Sequence, residues 1–348
     1  MNGRKKAFLS GLSTIAGTKR AKNARVVANP RSRICATASR VYTDDGMLQP
    51  NQIINGDSIE ILNAEPEGWV DLCFADPPFN IGYLYHNYDD AKNVDEYVEW
   101  SERWMKAVHR ALKPNGSFYL AIGDEFAADL CHVARRKIGF HLRNWIIWHY
   151  TFGQQTRKMF AKSHTHILYF TKEKEGFTFN ADDVRVASAR QTTYADKRAN
   201  SKGKLPDDVW FLRPQEAAPH AYFEPGHDTW NESRVCGTFK EREGWHGCQM
   251  PIGVLNRIIK ASSNPGDLVL DPFNGSGTTA VAAALLKRGY IGIDQSPEYV
   301  DYARKRLAHA LDASSVLDGK RSSRVMTQTD AFGRPRVPRR GRTTAKTA

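Results

Sequence analysis

Between Gln49 and Asp312, short apolar runs alternate with stretches in which apolar residues recur every three or four positions, so strands and helices take turns along the chain. Val70-Asp-Leu-Cys-Phe-Ala75 is one such run, and Asp76-Pro77-Pro78 stops it because proline donates no ladder hydrogen bond. Over residues 93–112 a helical stripe of Val94, Tyr97, Val98, Met105, Val108 and Leu112 ends at Lys113-Pro114-Asn115-Gly116. Residues 117–122, 144–150 and 166–171 read as further strands. Later, 267–270 predicts a strand, 278–287 a helix and 290–293 another strand. Ser296-Pro297-Glu298 then opens a last helix to about Ala310, with proline at its first position. This alternation predicts an α/β fold, with a parallel sheet covered on both faces.

The stretch 172–245 breaks the rhythm: it is polar, punctuated by Gly and Pro, and lacks a long apolar period, so it reads as an inserted module. Both chain ends also lack periodicity, and charge sets them apart. Of the net charge of +12, residues 1–40 carry ten Lys/Arg and no acid, and 320–348 carry nine against Asp330, which leaves the middle net acidic. The ends therefore read as disordered basic arms able to bind phosphate backbones without reading sequence. For the first arm, an organelle transit peptide and a true start at Met47 are alternatives. The resulting division is 1–46 arm, 47–171 first half of the core domain, 172–245 module, 246–312 second half and 313–348 tail.

No apolar run approaches the roughly 18 residues of a membrane span. Five cysteines (Cys35, Cys73, Cys131, Cys236 and Cys248) without C-x-x-C spacing argue against a disulfide framework and for a reducing compartment. Cys236, His246 and Cys248 come nearest to a metal cluster but lack paired ligand spacing, so no metal is expected.

Two motifs carry chemistry. Asp271-Pro-Phe-Asn-Gly-Ser-Gly-Thr-Thr279 lies between a strand and a helix, where glycines let backbone N–H groups approach a ligand at a helix N-terminus. Nineteen residues after Gly275, Asp294 ends the next strand, the place of a ribose-binding carboxylate in α/β nucleotide sites. A tight turn is the plain alternative, and a nicotinamide-dependent oxidoreductase would use the same pair. In Asp76-Pro77-Pro78-Phe79, prolines hold a carboxylate and a carbonyl beside an aromatic plate, an arrangement that can grip an exocyclic amino group on a planar base. Here the alternative is a rigid turn after a buried strand.

In this order the motifs resemble the S-adenosylmethionine-dependent DNA amino-group methyltransferases of the permuted β class, over roughly residues 50–312. The resemblance adds Asn55-Gly56-Asp57-Ser58, His164-Thr-His-Ile-Leu-Tyr-Phe-Thr-Lys172 and His246-Gly-Cys-Gln249-Met-Pro251, with the module 172–245 in the place of the target-recognition region. It implies a seven-stranded Rossmann-like sheet and S-adenosyl-L-methionine as cofactor. The implied cofactor residues are Asp57, Gln249, Asp271, Phe273, Gly275, Ser276, Gly277, Thr278 and Asp294. Met250 stands where similar proteins have lysine, which weakens the carry-over for Gln249.

The implied reaction is site-specific methylation of adenine N6 in double-stranded DNA, by base flipping and direct transfer. Asp76 and the Pro77 carbonyl would accept the amino hydrogens on a turn completed by Pro78, and Phe79 would stack on the base. No cysteine follows a proline, so the nucleophile of cytosine-C5 enzymes is missing. Cytosine N4 is the nearest rival target, and a non-catalytic DNA-binding protein on the same fold the rival of another class. In the module, Arg185, Arg190, Lys197, Arg198 and Lys202 are the candidate DNA contacts, against the alternative of a plain solvated loop. Beyond double-stranded DNA, the resemblance implies a second copy of the chain and a cognate restriction endonuclease as partners, with no membrane. It also implies a bacterial cytoplasm, at the nucleoid, while the transit-peptide alternative leaves organelle targeting open.

Overall fold

The computed structural model describes residues 40–43, 47–82, 90–154, 157–211 and 249–321. Its strands are β1 (Gln52–Asn55), β2 (Val70–Ala75), β3 (Leu112–Ile122), β4 (His141–Gln154), β5 (Lys162–Thr171), β6 (Val209–Phe211), β7 (Leu268–Asp271) and β8 (Gly289–Asp294). They form one sheet in the order β1-β8-β7-β2-β3-β5-β4-β6. The helices are α1 (Ser58–Ala64), α2 (Val94–Ala111), α3 (Asp124–His132), α4 (Ala189–Thr192), α5 (Ile252–Ser262), α6 (Thr278–Leu285) and α7 (Pro297–Arg321).

Alternation along the central strands feeds two cores. Cys73, Phe118, Leu120, Leu168 and Phe170 pack with Tyr97, Trp104, Met105 and Val108 of α2. Leu72, Phe74, Tyr119, Ile167 and Tyr169 point the other way, onto Val254, Leu255 and Ile258 of α5 and Ala282 of α6. Burial on both faces explains why β2 reads as a nearly unbroken apolar run. Helix α2 starts where Asn93 Oδ1 accepts the Glu96 N–H at 2.9 Å, and Asp95 and Glu96 sit in its first turn.

Several expectations need correction. The sheet is mixed: β5 runs antiparallel to both β3 and β4. The seven residues between β4 and β5 suffice for a hairpin, whereas a parallel crossover takes a dozen or more. Among the described residues the sheet has eight strands where the resemblance implied seven, and one of them, β6, comes from within the module and adds parallel to β4. Helix α2 stops at Ala111, just before Lys113–Gly116 as expected, but those residues already belong to β3, which begins at Leu112 and not at Ser117. Elements β1, α1, α3, α4 and α5 have no counterpart among those the sequence predicts.

Two boundaries also move. Helix α7 runs on to Arg321 because no proline interrupts 311–321. On the other side, Tyr42 bridges Leu48 and Val41 N–H donates to Gln52 Oε1 at 2.9 Å, so residues 40–43 join the folded unit rather than the arm. Residues 1–39, 212–248 and 322–348, and with them Cys236, His246 and Cys248, lie outside the described residues. The described part of the module docks on α5, where Asn180 N–H donates to the Ala261 carbonyl and the Asn180 side chain to those of Lys260 and Ser263.

Candidate active site

Four neighbouring strands, β1-β8-β7-β2, are mutually parallel, so their carboxyl ends share one edge of the sheet. That edge carries Asp57 after β1, Asp294 ending β8, the Asp271–Gly277 turn after β7 and Asp76-Pro77-Pro78-Phe79 after β2. Motifs about two hundred residues apart in the chain thus become adjacent loops, because β7 and β8 insert between β1 and β2.

The glycine turn is held from several sides. Gly275 (φ 45°) and Gly277 (φ 76°) are left-handed, and a Cβ on Gly277 would lie 2.9 Å from Ala303 Cβ in α7. Asp271 is buried beneath the turn, accepting from Phe273 N–H at 3.0 Å and Thr279 Oγ1 at 2.5 Å. Burial, opposed by those two hydrogen bonds and reinforced by the nearby Asp294 charge, pushes its carboxyl up to about 7. Phe273 packs edge-to-face on Trp104, centroids 5.1 Å apart, and lies 5.7 Å from Trp100, tying the turn to α2. Arg306 of α7 donates through one Nη to the Ser276 carbonyl (2.9 Å), Ser276 Oγ (3.3 Å) and Thr278 Oγ1 (2.8 Å). The sequence reading passed over Arg306, which shows there only as one cation among several on the last helix. Among the described residues the buried Asn274 amide has neither nitrogen nor oxygen partnered.

Asp294 accepts Gly275 N–H at 2.8 Å on one oxygen and Ser296 N–H at 2.8 Å on the other. Each oxygen has two lone pairs, so one acceptor position on each is left for a ligand. Burial raises its carboxyl above the ordinary value despite these bonds. Asp57 caps α1: its Oδ1 accepts from Ile59 and Glu60 N–H, and its Oδ2 accepts Gln295 Nε2 at 2.7 Å. Oδ1 is filled and Oδ2 has one position left. Gln249 is buried just before α5, and Met250 belongs to the core beside it.

The second turn is equally constrained. Asp76 and Phe79 are half-buried and Pro77 is buried. Tyr97 Oη donates to the Pro78 carbonyl at 2.6 Å. The Phe79 ring rests on Gly123, where an added Cβ would stand 3.3 Å from it. Asn80 turns back with φ 56°, and the buried Asp90 carboxylate accepts Asn80 N–H (2.8 Å) and Ile81 N–H (3.1 Å). Tyr97 showed in the sequence only as part of the apolar stripe of α2 and Asp90 not at all, because the partners that matter here are backbone groups 9 to 19 positions away.

Two further clusters emerge. Asp124, His164 and His166 bring three ligand-type atoms within 4.8 Å of one another. Trp145 Nε1 donates to His166 Nδ1 at 2.8 Å, however, which fills that lone pair and leaves the neutral ring its hydrogen on Nε2. In the module, the basic residues singled out as DNA contacts are locally paired: Arg185 (2.8 Å) and Lys202 with Asp182, Arg190 (2.6 Å) and Arg198 (3.1 Å) with Asp196. Hydrogen bonds from Arg198 and then Arg190 hold Asp196 far below the usual carboxylate range. Lys197 is exposed. Arg185, Arg190, Asn200 and Lys204 line a cleft of about 550 Å³.

Residues 70–305 match the family model for DNA methylases, N6_N4_Mtase. Among curated proteins, the type II methyltransferase M.HpaI of Haemophilus parainfluenzae is 33% identical, over 77% of this chain and 77% of its own length. The DNA adenine methyltransferase YhdJ of Escherichia coli (strain K12) is 34% identical, over 73% of this chain and 82% of its own. Among solved structures, PvuII DNA methyltransferase (cytosine-N4-specific) shares the fold with a TM-score of 0.54 at 17% identity, covering 76% of this chain and 93% of that one.

Proposed function

The chain belongs to the N6_N4_Mtase family of DNA methylases, and from that premise we propose that it transfers a methyl group from S-adenosyl-L-methionine to adenine N6 in double-stranded DNA. The observation that carries this reading is the neighbourhood of β2 and β7, which sets Asp76-Pro77-Pro78-Phe79 beside the glycine turn on one edge of the sheet. The donor set suits the cofactor. Asp294 keeps two acceptor positions for a pair of ribose hydroxyls, Asp57 keeps one for an amino group, and the orphaned Asn274 amide offers both a donor and an acceptor beside the turn. Gly275, Ser276, Gly277 and Thr278 would line the approach, with Asp271 and Phe273 shaping the turn from beneath and Gln249, buried just before α5, as a further candidate contact.

Bound there, S-adenosyl-L-methionine supplies an electrophilic methyl group. The work of this chain is to make a poor nucleophile attack. Adenine N6 delocalises its lone pair into the ring. Asp76 and the Pro77 carbonyl, accepting the two N–H hydrogens, favour a pyramidal nitrogen with its lone pair freed and aimed. A carboxylate is the stronger acceptor and can take the proton that the methylated nitrogen sheds. Phe79, braced by Gly123, stacks on the extruded base and offsets part of its unstacking cost, and the bond from Tyr97 fixes the Pro78 end of the turn.

Type II names among the relatives support a restriction endonuclease of the same specificity as a partner, and a bacterial setting. A second copy of the chain is the remaining proposed partner, which sedimentation tests. Among the described residues no helix is long and apolar enough to cross a membrane. The deciding experiment is digestion of DNA methylated by the protein into nucleosides, followed by mass spectrometry. N6-methyladenine, abolished in Asp76→Ala, is expected, whereas N4-methylcytosine alone overturns the target assignment.

A further inference from the structure

Strand β5 pairs antiparallel with β3, with His166 opposite Ile122, so Lys162 and the turn before it extend past the carboxyl end of β3. This is the edge that carries Asp76 and the glycine turn. At the tip of the β4–β5 hairpin stands Phe160, 98% exposed, the barest large apolar side chain among the described residues, with Met159 beside it at 64%. Cations surround the pair: Arg157 and Lys158 before it, Lys162 after.

The base of the hairpin is anchored. Lys162 Nζ lies 3.5 Å from Asp124 Oδ2 and 3.4 Å from Glu125 Oε2, and His164 Nε2 lies 3.8 Å from Asp124 Oδ1. Asp124 follows Gly123, the residue on which Phe79 rests. A short braced path therefore runs from the proposed base-stacking ring to a bare aromatic tip.

We propose that this tip is a wedge that enters the DNA stack beside the target adenine, with Phe160 filling the space left by the extruded base and Arg157 and Lys158 on the flanking phosphates. The proposal rests on the methyltransferase reading of the same edge. An extruded base leaves its neighbours without a stacking partner, and an inserted apolar side chain restores part of that contact. Stacking on an aromatic side chain changes affinity roughly 5- to 150-fold per base when the ring is truncated. The cations suit a phosphate backbone better than a protein surface.

The test compares the full-length parent with Phe160→Ala and Phe160→Trp on two duplexes containing the methylated site, one fully paired and one with an abasic position opposite the target adenine, where extrusion costs little. Phe160→Ala should lower kcat/KM on the paired duplex roughly 5- to 150-fold and much less on the abasic one, with the KM for S-adenosyl-L-methionine unchanged. Phe160→Trp should keep activity, and its added indole emission should be quenched on saturation with duplex. Equal loss on both duplexes, loss on neither, or loss that follows a dimer-to-monomer change in sedimentation overturns the wedge. An unquenched indole on bound duplex overturns it whether or not methyl is transferred. If the parent methylates neither duplex, the methyltransferase reading fails, and quenching alone decides the wedge.

Discussion

Asp271 and Asp294 end neighbouring strands, yet their carboxylates meet different neighbours, and that difference divides their roles. Asp294 spends one N–H contact on each oxygen and retains acceptor capacity toward the edge. Asp294→Ala should weaken S-adenosyl-L-methionine by at least about 10- to 150-fold, since even one of its two charged hydrogen bonds to the ribose is worth roughly 1.5–3 kcal/mol, while non-specific DNA binding stays intact. Calorimetry with an unchanged dissociation constant would remove Asp294 from the site. Asp271 faces inward, and its carboxyl stands at about 7 against 3.8 for an unburied one. With the folded pKa above the unfolded value, the native state keeps a proton that the unfolded chain has released. This contribution to stability is whole below pH 4 and fades as the pH rises to 7. Asp271→Asn keeps an acceptor for Phe273 N–H and should remove the fade, so its Tm should gain on the parent from pH 4 to 7.5. A Tm difference constant with pH would mean that Asp271 titrates as an exposed carboxylate does.

Between elements, the glycine turn is clamped from β8 and from α7. A Cβ on Gly292 would stand 2.2 Å from Asn274 Oδ1, so no side chain fits without moving the turn. Gly292→Ala should cost about 1–3 kcal/mol of stability and weaken cofactor binding with it. Thermal unfolding together with cofactor titration checks both, and an unaltered affinity would show that the turn absorbs the shift. On the other side, Arg306 binds the turn through charge-assisted hydrogen bonds to Ser276 and Thr278. Arg306→Met should raise the KM for S-adenosyl-L-methionine about tenfold or more and change kcat far less, because it positions rather than reacts. A fall in kcat at unchanged KM would place it in the chemistry instead.

At the scale of the whole molecule, the positive excess lies outside residues 40–321. Removing 1–39 and 322–348 should lower non-specific DNA affinity and flatten its salt dependence, leaving the methylated sequence as it was. Anisotropy titrations over a range of salt, with mapping of modified bases, test this. A new methylated sequence would move base reading into the arms. Charge counting alone is a poor guide within the module, since Asp182 and Asp196 already engage four of the five cations expected to meet DNA.

The two turns proposed to carry the chemistry were legible as turns in the sequence because their causes are local. Prolines end β2 at Asp76, glycines permit the left-handed turn after β7, and an acid ends the strand that follows. These depend on adjacent residues and on a two-residue or near-four-residue period. The apolar run of β2 and the stripe of α2 were readable for the same reason. What the tertiary structure decided depends on partners far apart in the chain. It put β7 and β8 between β1 and β2, reversed β5, assigned Tyr97, Asp90 and Arg306 to groups of the two turns, and paired Arg185, Arg190 and Arg198 with aspartates. It also left Phe160 bare on the edge that carries both turns. No local pattern encodes such contacts, because each is fixed by the packing of the whole sheet, and only the folded chain brings the groups within hydrogen-bonding reach.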